Sequence, residues 1–282
     1  MDIPANPQDV QGQCLAWREQ GLRICLVPTM GYYHAGHVSL FDWARSHADK
    51  VVVSLFVNPA QFGPNEDLEA YPRDMEGDSR LCREHGVDLL FTPDPATMYE
   101  DDHATWVAVE NLTQGLCGRT RPVHFRGVAT VVTKLFMLTL PHAAVFGQKD
   151  WQQLAVIRRM ARDLNMPIEI IGRPTVREAD GLAMSSRNVY LSPEERGQAP
   201  QLYKGLQHGA DLIRQGQKDS TAVTRTIKEY YAEHLALGRL DYLEMVHPDS
   251  LEPLETLDGP CLIAVAMLLG KARLIDNLLV EA

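Results

Sequence analysis

The stretch that decides the fold is Ile24-Cys25-Leu26-Val27-Pro28-Thr29-Met30-Gly31-Tyr32-Tyr33-His34-Ala35-Gly36-His37-Val38. The apolar run Ile24–Val27 predicts a buried strand, and a helix is predicted from Val38 to Ala48. Where a strand leads through a glycine turn into a helix, α/β proteins bind phosphate, because the first helical N–H groups lack partners and the helix dipole favours an anion. His34 and His37 add imidazole donors there, so we interpret the stretch as a nucleotide-phosphate site. Ordinary surface or capping histidines are the alternative, and zinc is disfavoured because no third ligand lies nearby.

Outward from this stretch, apolar runs alternate with amphipathic ones. Further strands are predicted at Val51–Val57, Asp88–Thr92, Val107–Val109, Ala143–Gly147 and Ile168–Ile171. Further helices are predicted at Asp74–His85, Val128–Leu140 and Trp151–Leu164. A strand that is apolar on both faces, such as Val51–Val57, indicates a parallel sheet covered on both sides. The alternation therefore predicts an α/β fold with a Rossmann-like, doubly wound parallel sheet.

The pattern changes after residue 191, where Ser192-Pro193-Glu194-Glu195 has the form of a capping box that begins a helix. The segments that follow are predicted as helices Pro193–Arg214 and Ser220–Leu237 and strands Tyr242–Val246, Leu262–Met267 and Leu274–Val280. We therefore predict a nucleotide- and substrate-binding domain over 1–176, a connection over 177–191, and a smaller C-terminal α+β lid domain over 192–282.

Composition narrows the class of protein. The 282 residues include 37 acidic and 27 basic side chains, for a formal net charge of −10, which disfavours a nucleic-acid partner because counterion release needs clustered Lys and Arg. The five cysteines are odd in number and scattered without a C-x-x-C, which favours a reducing, cytoplasmic compartment. Residues 1–10 lack the features of a signal peptide, and no apolar run reaches membrane-spanning length, so no membrane role is expected.

Two further polar segments follow predicted strands, at the edge where open α/β sheets bind ligands. Asn58 and Gln61 offer amide groups that suit a hydroxyl or a carboxylate, although a plain Asn-Pro turn is an equal alternative. Lys149 offers a compact positive charge for phosphate. Asp150 suits Mg²⁺, a ribose or simply a helix cap, and Gln153 lies one turn into the next helix.

The predicted connection carries Met184-Ser185-Ser186-Arg187-Asn188, whose hydroxyls and guanidinium suit a triphosphate; a flexible polar linker is the alternative. A basic cluster, Arg119, Arg121, His124 and Arg126, suits either a phosphate-facing loop or a dimer surface.

Taken together, these blocks resemble the pantothenate synthetases, the pantoate–β-alanine ligase family of the nucleotidyltransferase superfamily, over essentially the whole chain. The matching motifs are Pro28-Thr29-Met30-Gly31-x-x-His34-x-Gly36-His37, Phe56-Val57-Asn58-Pro59-x-Gln61-Phe62, His124-Phe125-Arg126-Gly127-Val128-x-Thr130-Val131-Val132, Gly147-x-Lys149-Asp150-x-Gln152-Gln153 and Met184-Ser185-Ser186-Arg187-Asn188. H-x-G-H alone is only moderately specific, since cytidylyltransferases and class I aminoacyl-tRNA synthetases share it, but the set is highly specific.

The resemblance implies that pantoate attacks the α-phosphate of ATP to give pantoyl adenylate and pyrophosphate, after which β-alanine displaces AMP to give pantothenate. It also implies Mg²⁺, a homodimer and a cytoplasmic location. The implied catalytic residues are His37, the proposed proton donor, with His34, Lys149 and Arg187. The implied ATP-binding residues are Met30, Gly31, His34, Gly36, His37, Gly147, Lys149, Asp150, Val176, Met184, Ser185, Ser186 and Arg187. The implied pantoate-binding residues are Gln61 and Gln153, with Asn58 beside them and an apolar wall of Val131 and Val132.

Four positions depart from the family's pattern: Tyr32, Tyr33, Val123 and Gln148. None carries an assigned role in the chemistry. Two other functions remain alternatives, a cytidylyltransferase-like enzyme that releases a stable nucleotide conjugate and a nucleotide-binding regulatory protein without turnover. An aminoacyl-tRNA synthetase is disfavoured by the acidic charge.

Overall fold

The structure, a computed structural model, describes residues 1–64 and 66–281. The chain divides into two compact units. Unit 1 comprises Met1–Glu110, Arg121–Gln148 and Val156–Pro174, and unit 2 comprises Asn111–Thr120, Lys149–Ala155 and the chain from Thr175 onward. The last boundary lies near the cut predicted after residue 176, but two earlier segments also belong to unit 2. The compact units follow contacts and not order along the chain, and the predicted division at residue 176 stays a prediction.

The helices are α1 Pro7–Glu19, α2 Ala35–His47, α3 Met75–Glu84, α4 Pro95–Met98, α5 Leu116–Thr120, α6 His124–Thr139, α7 Trp151–Asp163, α8 Pro193–Gln198, α9 Gln201–Arg214 and α10 Ser220–His234. The strands are β1 Ile24–Thr29, β2 Lys50–Leu55, β3 Leu89–Phe91, β4 Ala143–Gly147, β5 Glu169–Arg173, β6 Gly238–Val246, β7 Cys261–Leu269 and β8 Ala272–Val280. Short 3-10 turns occupy Pro59–Gln61, Gln148–Asp150 and Ser186–Tyr190. None of the helices in the described ranges is long and apolar enough to cross a membrane.

Unit 1 is built on a parallel five-stranded sheet with the order β3-β2-β1-β4-β5. The first four residues of β1 are fully buried, as expected for a central strand that is apolar on both faces. The strand order reverses between β1 and β4, and ligands bind outside the carboxyl ends of the strands at such a switch point. The loop before His34 leaves the end of β1, and Gly147 ends β4.

Unit 2 contains an antiparallel three-stranded sheet with the order β6-β7-β8. Leu206 of α9 and Ile227 of α10 belong to one buried cluster with Val265 of β7, so the two helices cover a face of this sheet. The predicted α/β fold with a smaller C-terminal α+β part is confirmed.

Two predictions of secondary structure are wrong. Residues 107–109 form no strand, because the N–H of Val107 is bound by the hydroxyl of Thr130 on α6 (3.0 Å) instead of by a neighbouring strand. The helix predicted over 193–214 is two helices, α8 and α9, which are separated at Ala199 and Pro200.

A third difference is α1, which was not predicted at all. Asn6 caps it by accepting a hydrogen bond from Gln8 N (2.8 Å), and Pro7 occupies its first position. Val10, Cys14 and Trp17 are buried at helical spacing, so the signal was present in the sequence.

Candidate active site

His34 and His37 lie at the first turn of α2, which begins at Ala35 and not at Val38 as predicted. His34 is the N-cap, and its Nδ1 accepts a hydrogen bond from Gly36 N (3.1 Å). The Nδ1 of His37 accepts from His34 N (3.4 Å), and the two ring centroids are 4.1 Å apart. Because an accepting Nδ1 carries no proton, this pattern assigns the proton of each neutral ring to Nε2. The capping role was the alternative to phosphate binding, and in this geometry one ring nitrogen serves the cap while the other remains a donor.

The loop before the histidines is held by Asp78, which the sequence analysis missed. Its carboxylate accepts hydrogen bonds from Tyr32 N and Tyr33 N, both at 2.7 Å. Gly31 and Tyr32 have φ angles of +87° and +54°, and the next two N–H groups, of Tyr32 and Tyr33, both point toward the Asp78 carboxylate. A Cβ at Gly31 would lie 2.9 Å from Asp78 Oδ2, which explains why glycine is needed there.

Asp78 itself lies on α3 and is only 2% exposed. Burial raises the pKa of this carboxyl above the ordinary aspartate value, and the N–H groups of Tyr33 and Tyr32 oppose that shift. The nearby carboxylate of Asp74 adds to the rise. No local pattern marks Asp78, because its partners lie 45 and 46 residues away along the chain.

The bulky residue Tyr33 is accommodated by packing. Its hydroxyl lies 2.9 Å from the hydroxyl of Thr29, and its ring meets Phe41 edge-on at 5.1 Å. The ring centroid of His37 is 5.3 Å away. Burial raises the pKa of Tyr33 well above the ordinary value, so the phenol stays protonated.

Gln61 ends a 3-10 turn that is capped by Asn58, and both side chains are buried. Asn58 Nδ2 donates to Gln61 Oε1 (3.1 Å) and to the carbonyl of Gly127 on α6 (3.2 Å). Gln61 Nε2 contacts the sulfur of Met30 at 3.1 Å. Unit 1 therefore brings Met30, Asn58 and Gln61 together. Asn58 Oδ1 also accepts from Ala60 N (3.3 Å), so the side chain of Asn58 orients Gln61 and its own turn.

The basic residues between 119 and 126 have separate partners. Arg121 pairs with Glu66 and donates to the carbonyl of Gln61 (3.3 Å), and His124 Nδ1 lies 3.0 Å from the same carbonyl. Arg126 stacks over Trp106 at 4.8 Å. Arg119 belongs to unit 2, where it pairs with Glu244. Arg121 and His124 thus support the backbone of Gln61.

Val131 and Val132, the predicted apolar wall, are buried on α6. In unit 2, Lys149 and Asp150 occupy the turn before α7, with Lys149 Nζ and Asp150 Oδ2 3.8 Å apart. Gln153 lies in the first turn of α7. The backbone carbonyl of Lys149 accepts from Asn277 Nδ2 (2.9 Å), a contact that the sequence did not predict.

The segment from Val176 to Arg187 folds as a hydrogen-bonded hairpin followed by a turn. Met184 N donates to Val176 O (3.0 Å) across the hairpin, and Gly181 turns the chain with φ +97°. Ser185 caps the next turn by accepting from Arg187 N (3.2 Å). These hydrogen bonds give the segment a defined backbone conformation.

The described part of the chain holds no group of three or more His, Cys, Asp or Glu side chains that could bind a metal ion. All five cysteines are buried and unpaired. Burial raises the pKa of four of them, Cys14, Cys25, Cys82 and Cys261, to about 12, which disfavours a thiolate nucleophile at these positions.

The chain is similar to known proteins over essentially its whole length. The model of the pantoate–β-alanine ligase family matches residues 2–279. A pantothenate synthetase of Desulfovibrio desulfuricans is 60% identical over 282 residues, which is 100% of both chains, and one of Oleidesulfovibrio alaskensis is 59% identical over 99% of both.

Two solved structures are similar over nearly their full length. The crystal structure of pantothenate synthetase from Thermus thermophilus has a TM-score of 0.92 and 47% identity, with 99% of each chain covered. That of pantoate–β-alanine ligase from Francisella tularensis, complexed with beta-gamma ATP and β-alanine, has a TM-score of 0.80 and 33% identity, and covers 99% of this chain and 97% of that one.

Proposed function

This chain belongs to the pantoate–β-alanine ligase family, and we propose on that premise how its residues perform the reaction. The enzyme condenses pantoate with β-alanine to pantothenate in an ATP-dependent reaction, through pantoyl adenylate, and releases AMP and pyrophosphate. The observation that carries this function is the family match over residues 2–279, together with relatives that are matched over their whole length.

In the first step, a carboxylate oxygen of pantoate bonds to the α-phosphorus of ATP while the bond from that phosphorus to the pyrophosphate oxygen breaks. Negative charge shifts onto the phosphate oxygens and the leaving group. We assign the Nε2–H groups of His37 and of its neighbour His34 as the donors that stabilise this charge. The Nδ1 hydrogen bonds of both rings support the assignment, because they orient the donors before the substrate arrives.

In the second step, the amine of β-alanine bonds to the acyl carbon, AMP departs and the amine loses a proton. No covalent enzyme intermediate is required. The residues assigned to the reaction are donors and cations, His34, His37, Lys149 and Arg187. Positioning and charge neutralisation therefore account for the catalysis that we propose.

Pantoate binding is assigned to Gln61 and Gln153, with Val131 and Val132 as the apolar wall against its gem-dimethyl group. A few placed polar groups on an apolar lining suit such a ligand. The contacts of Gln61 with Asn58 and Met30 support its role, because they hold the amide in one orientation. We assign Asn58 to positioning Gln61.

ATP binding is assigned to the loop from β1 into α2, the turn after β4, and the hairpin with its turn in unit 2. The residues are Met30, Gly31, His34, Gly36, His37, Gly147, Lys149, Asp150, Val176, Met184, Ser185, Ser186 and Arg187. Lys149 and Arg187 would neutralise the β- and γ-phosphates.

Mg²⁺ is proposed to enter with the nucleotide. It is usually bound through one or two carboxylates and substrate phosphates, so the lack of a cluster of metal ligands among the described residues fits this mode of binding. Asp150, about half exposed beside Lys149, is the carboxylate that we assign to it. Bound there, Mg²⁺ would neutralise phosphate charge.

The oligomeric state, the cellular location and the domain division of the enzyme are proposed as well. We propose a homodimer in the cytoplasm, a location that suits five unpaired thiols. The division into a substrate-binding domain (1–176), a connection (177–191) and a lid (192–282) is also proposed.

Product analysis tests the function. With ATP, Mg²⁺, pantoate and β-alanine, ³¹P NMR should show AMP and pyrophosphate forming in equal amounts, and only when pantoate is present. A stable nucleotide conjugate would indicate a nucleotidyltransferase, and ATP binding without any turnover would indicate a regulatory protein; either result would contradict the proposal.

A further inference from the structure

Asp276 and Asn277 are consecutive residues of β8, far along the chain from every motif assigned to the reaction. Both are buried, at 3% and 8% exposure, in a strand whose other residues are mostly apolar. Burying a carboxylate and an amide is costly unless each has specific partners. The partners of both residues are in segments of unit 2 to which we have assigned ATP.

Asp276 forms a two-pronged ion pair with Arg177. The guanidinium donates to Oδ2 at 2.7 Å and to Oδ1 at 2.9 Å, and the same Arg177 donates to the carbonyl of Gly181 at 3.1 Å. The guanidinium also lies 3.4 Å from the ring centroid of Tyr203. Arg177 is therefore held on several sides in one position.

The position of Arg177 sets the position of the hairpin. Arg177 is paired opposite Ala183 in an antiparallel bridge, and Met184 N donates to Val176 O at 3.0 Å. Holding Arg177 therefore holds its neighbour Val176 and, across the hairpin, Met184. Both of these residues are assigned to ATP.

Asn277 reaches the other segment. Its Nδ2 donates to the backbone carbonyl of Lys149 at 2.9 Å, in the turn that ends β4 and begins α7. Successive side chains of a strand point to opposite faces, so two adjacent residues can hold two separate segments. Asp276 Oδ1 also accepts from Asn277 N at 2.8 Å, which couples the two anchors.

We infer that Asp276 and Asn277 are positioning residues of the ATP site, which fix the hairpin through Arg177 and the backbone of Lys149 directly. The inference rests on the proposed function. Neither residue contacts the nucleotide in this account. Their effect is to hold Val176, Met184 and Lys149 before ATP binds, so that little ordering has to accompany binding.

If the ion pair of Asp276 were purely structural, breaking it would lower stability without a specific effect on ATP binding. A second ion pair in the same sheet serves as a matched control. Asp241 on β6 accepts two hydrogen bonds from Arg273 of β8, at 2.7 and 3.0 Å, and is also largely buried. It is an aspartate–arginine pair in the same sheet, and Asp241 also accepts from the hydroxyl of Thr120 (3.3 Å), a residue that is not assigned to ATP. Asp241→Asn therefore matches Asp276→Asn in chemistry and in sheet but not in neighbours.

The test measures binding of a non-hydrolysable ATP analogue by calorimetry, together with the melting temperature, for full-length wild type and three variants. Asp276→Asn and Asn277→Ala should each raise the Kd of the analogue by about tenfold, the scale of one lost hydrogen bond. Asp241→Asn should change Kd by less than about twofold even where its melting temperature falls as far.

Arg177→Lys provides a second probe, which keeps the positive charge but loses the two-pronged contact with Asp276. It should also weaken binding of the analogue, and combining it with Asp276→Asn should add little, because both act through one contact. Unchanged Kd values in folded Asp276 and Asn277 variants, or equal losses in the Asp241 variant, would overturn the inference. If wild type failed to bind the analogue, the proposed function itself would fall, and that result is distinct because it precedes any variant.

Discussion

At the scale of single residues, the site depends on ring nitrogens with different tasks. The Nδ1 atoms of His34 and His37 accept backbone N–H groups at the start of α2, and this leaves their protons on Nε2. A neutral, oriented donor stabilises charge that develops on phosphate without having to reorganise during the reaction. The same residues therefore serve the local fold and the chemistry that we propose.

His37→Ala should lower the single-turnover rate of adenylation by about a hundredfold or more, as expected for the loss of one transition-state donor. The matched control is His85→Ala, because His85 pairs with the exposed Asp42 outside the site. The control should retain its rate within about twofold, since an exposed pair contributes little. A His37→Ala enzyme with a near-normal rate would refute the role.

Asp78→Asn should lower the adenylation rate by about tenfold or more, because the N–H groups of Tyr32 and Tyr33 bond to different oxygens of Asp78 and one of these becomes an NH2 donor in asparagine. Asp74→Asn is the control on the same helix, since asparagine caps helices as well as aspartate. Equal adenylation rates in the two variants, measured by stopped flow, would contradict the role of Asp78 in shaping the loop.

The pH dependence of stability gives the Asp78 variant a second readout. Because burial raises the native pKa, folding favours the protonated form, and that stabilisation is present below the ordinary aspartate pKa and lost as pH rises through the raised pKa. The other titratable groups near Asp78 are Asp74, Cys82 and Tyr33. As pH rises across this window, the unfolding free energy of Asp78→Asn, measured by urea titration, should increase relative to that of wild type. A difference between the two that does not change with pH would contradict the shifted pKa.

The sequence predicted the histidines but not the residues that hold their surroundings. His34 and His37 are recognisable because the strand, turn and helix start that give them meaning are local. Asp78 contacts a loop about 45 residues away, and Asn277 contacts Lys149 across 128 residues. Such pairings exist only once the sheets have formed, so no local pattern reports them.

At the scale of elements, close packing of α6 against the turn Pro59–Gln61 positions the amide of Gln61, which we assign to pantoate. Gly127 makes this approach possible: a Cβ there would lie 2.6 Å from Gln61 Cα and closer still to the carbonyl of Ala60. Its own carbonyl accepts from Asn58 (3.2 Å). Gly127 is the fourth residue of α6, and a glycine inside a helix costs stability relative to alanine, so its presence reflects this contact.

Gly127→Ala should raise the KM for pantoate by about tenfold or more, because the new methyl group displaces Gln61. It should also lower the free energy of unfolding by about 1–3 kcal/mol through overpacking. Gly12→Ala is the control, since Gly12 lies in α1 and the added carbon would meet nothing within 4 Å beyond its chain neighbours and its own helical backbone. It should leave KM unchanged and stabilise the protein by ~0.5–1 kcal/mol. A Gly127→Ala enzyme with normal pantoate KM would contradict this packing.

Elements with strong periodicity were predictable, and those decided by tertiary contacts were not. The buried strands β1, β2 and β4 follow from apolar runs. Residues 107–109 have the composition of a strand but satisfy their backbone with a side chain of α6, Thr130. Pro200 separates α8 from α9. A proline inside a helix removes a backbone hydrogen bond and breaks or kinks the helix, so this break was predictable from the sequence.

At the scale of the whole molecule, each unit carries part of the residues assigned to ATP. Unit 1 holds the two histidines and Gly147, and unit 2 holds Lys149 and the hairpin. Residues 111–120 and 149–155 belong to unit 2 although they precede residue 176, because membership in a compact unit depends on contacts and not on order along the chain. Because the net charge of the chain is −10, the protein as a whole does not attract an anion. In the function that we propose, local cations such as Lys149 and Arg187 attract the small anionic ligand.

The measurement that tests the central claim most directly is ATP–pyrophosphate exchange in the absence of β-alanine. An acyl-adenylate mechanism forms and reverses its first step with pantoate alone. With Mg²⁺ and pantoate saturating, labelled pyrophosphate should therefore enter ATP, and omission of pantoate should abolish the exchange. Absence of exchange under these conditions, with the protein folded and able to bind ATP, would contradict the account.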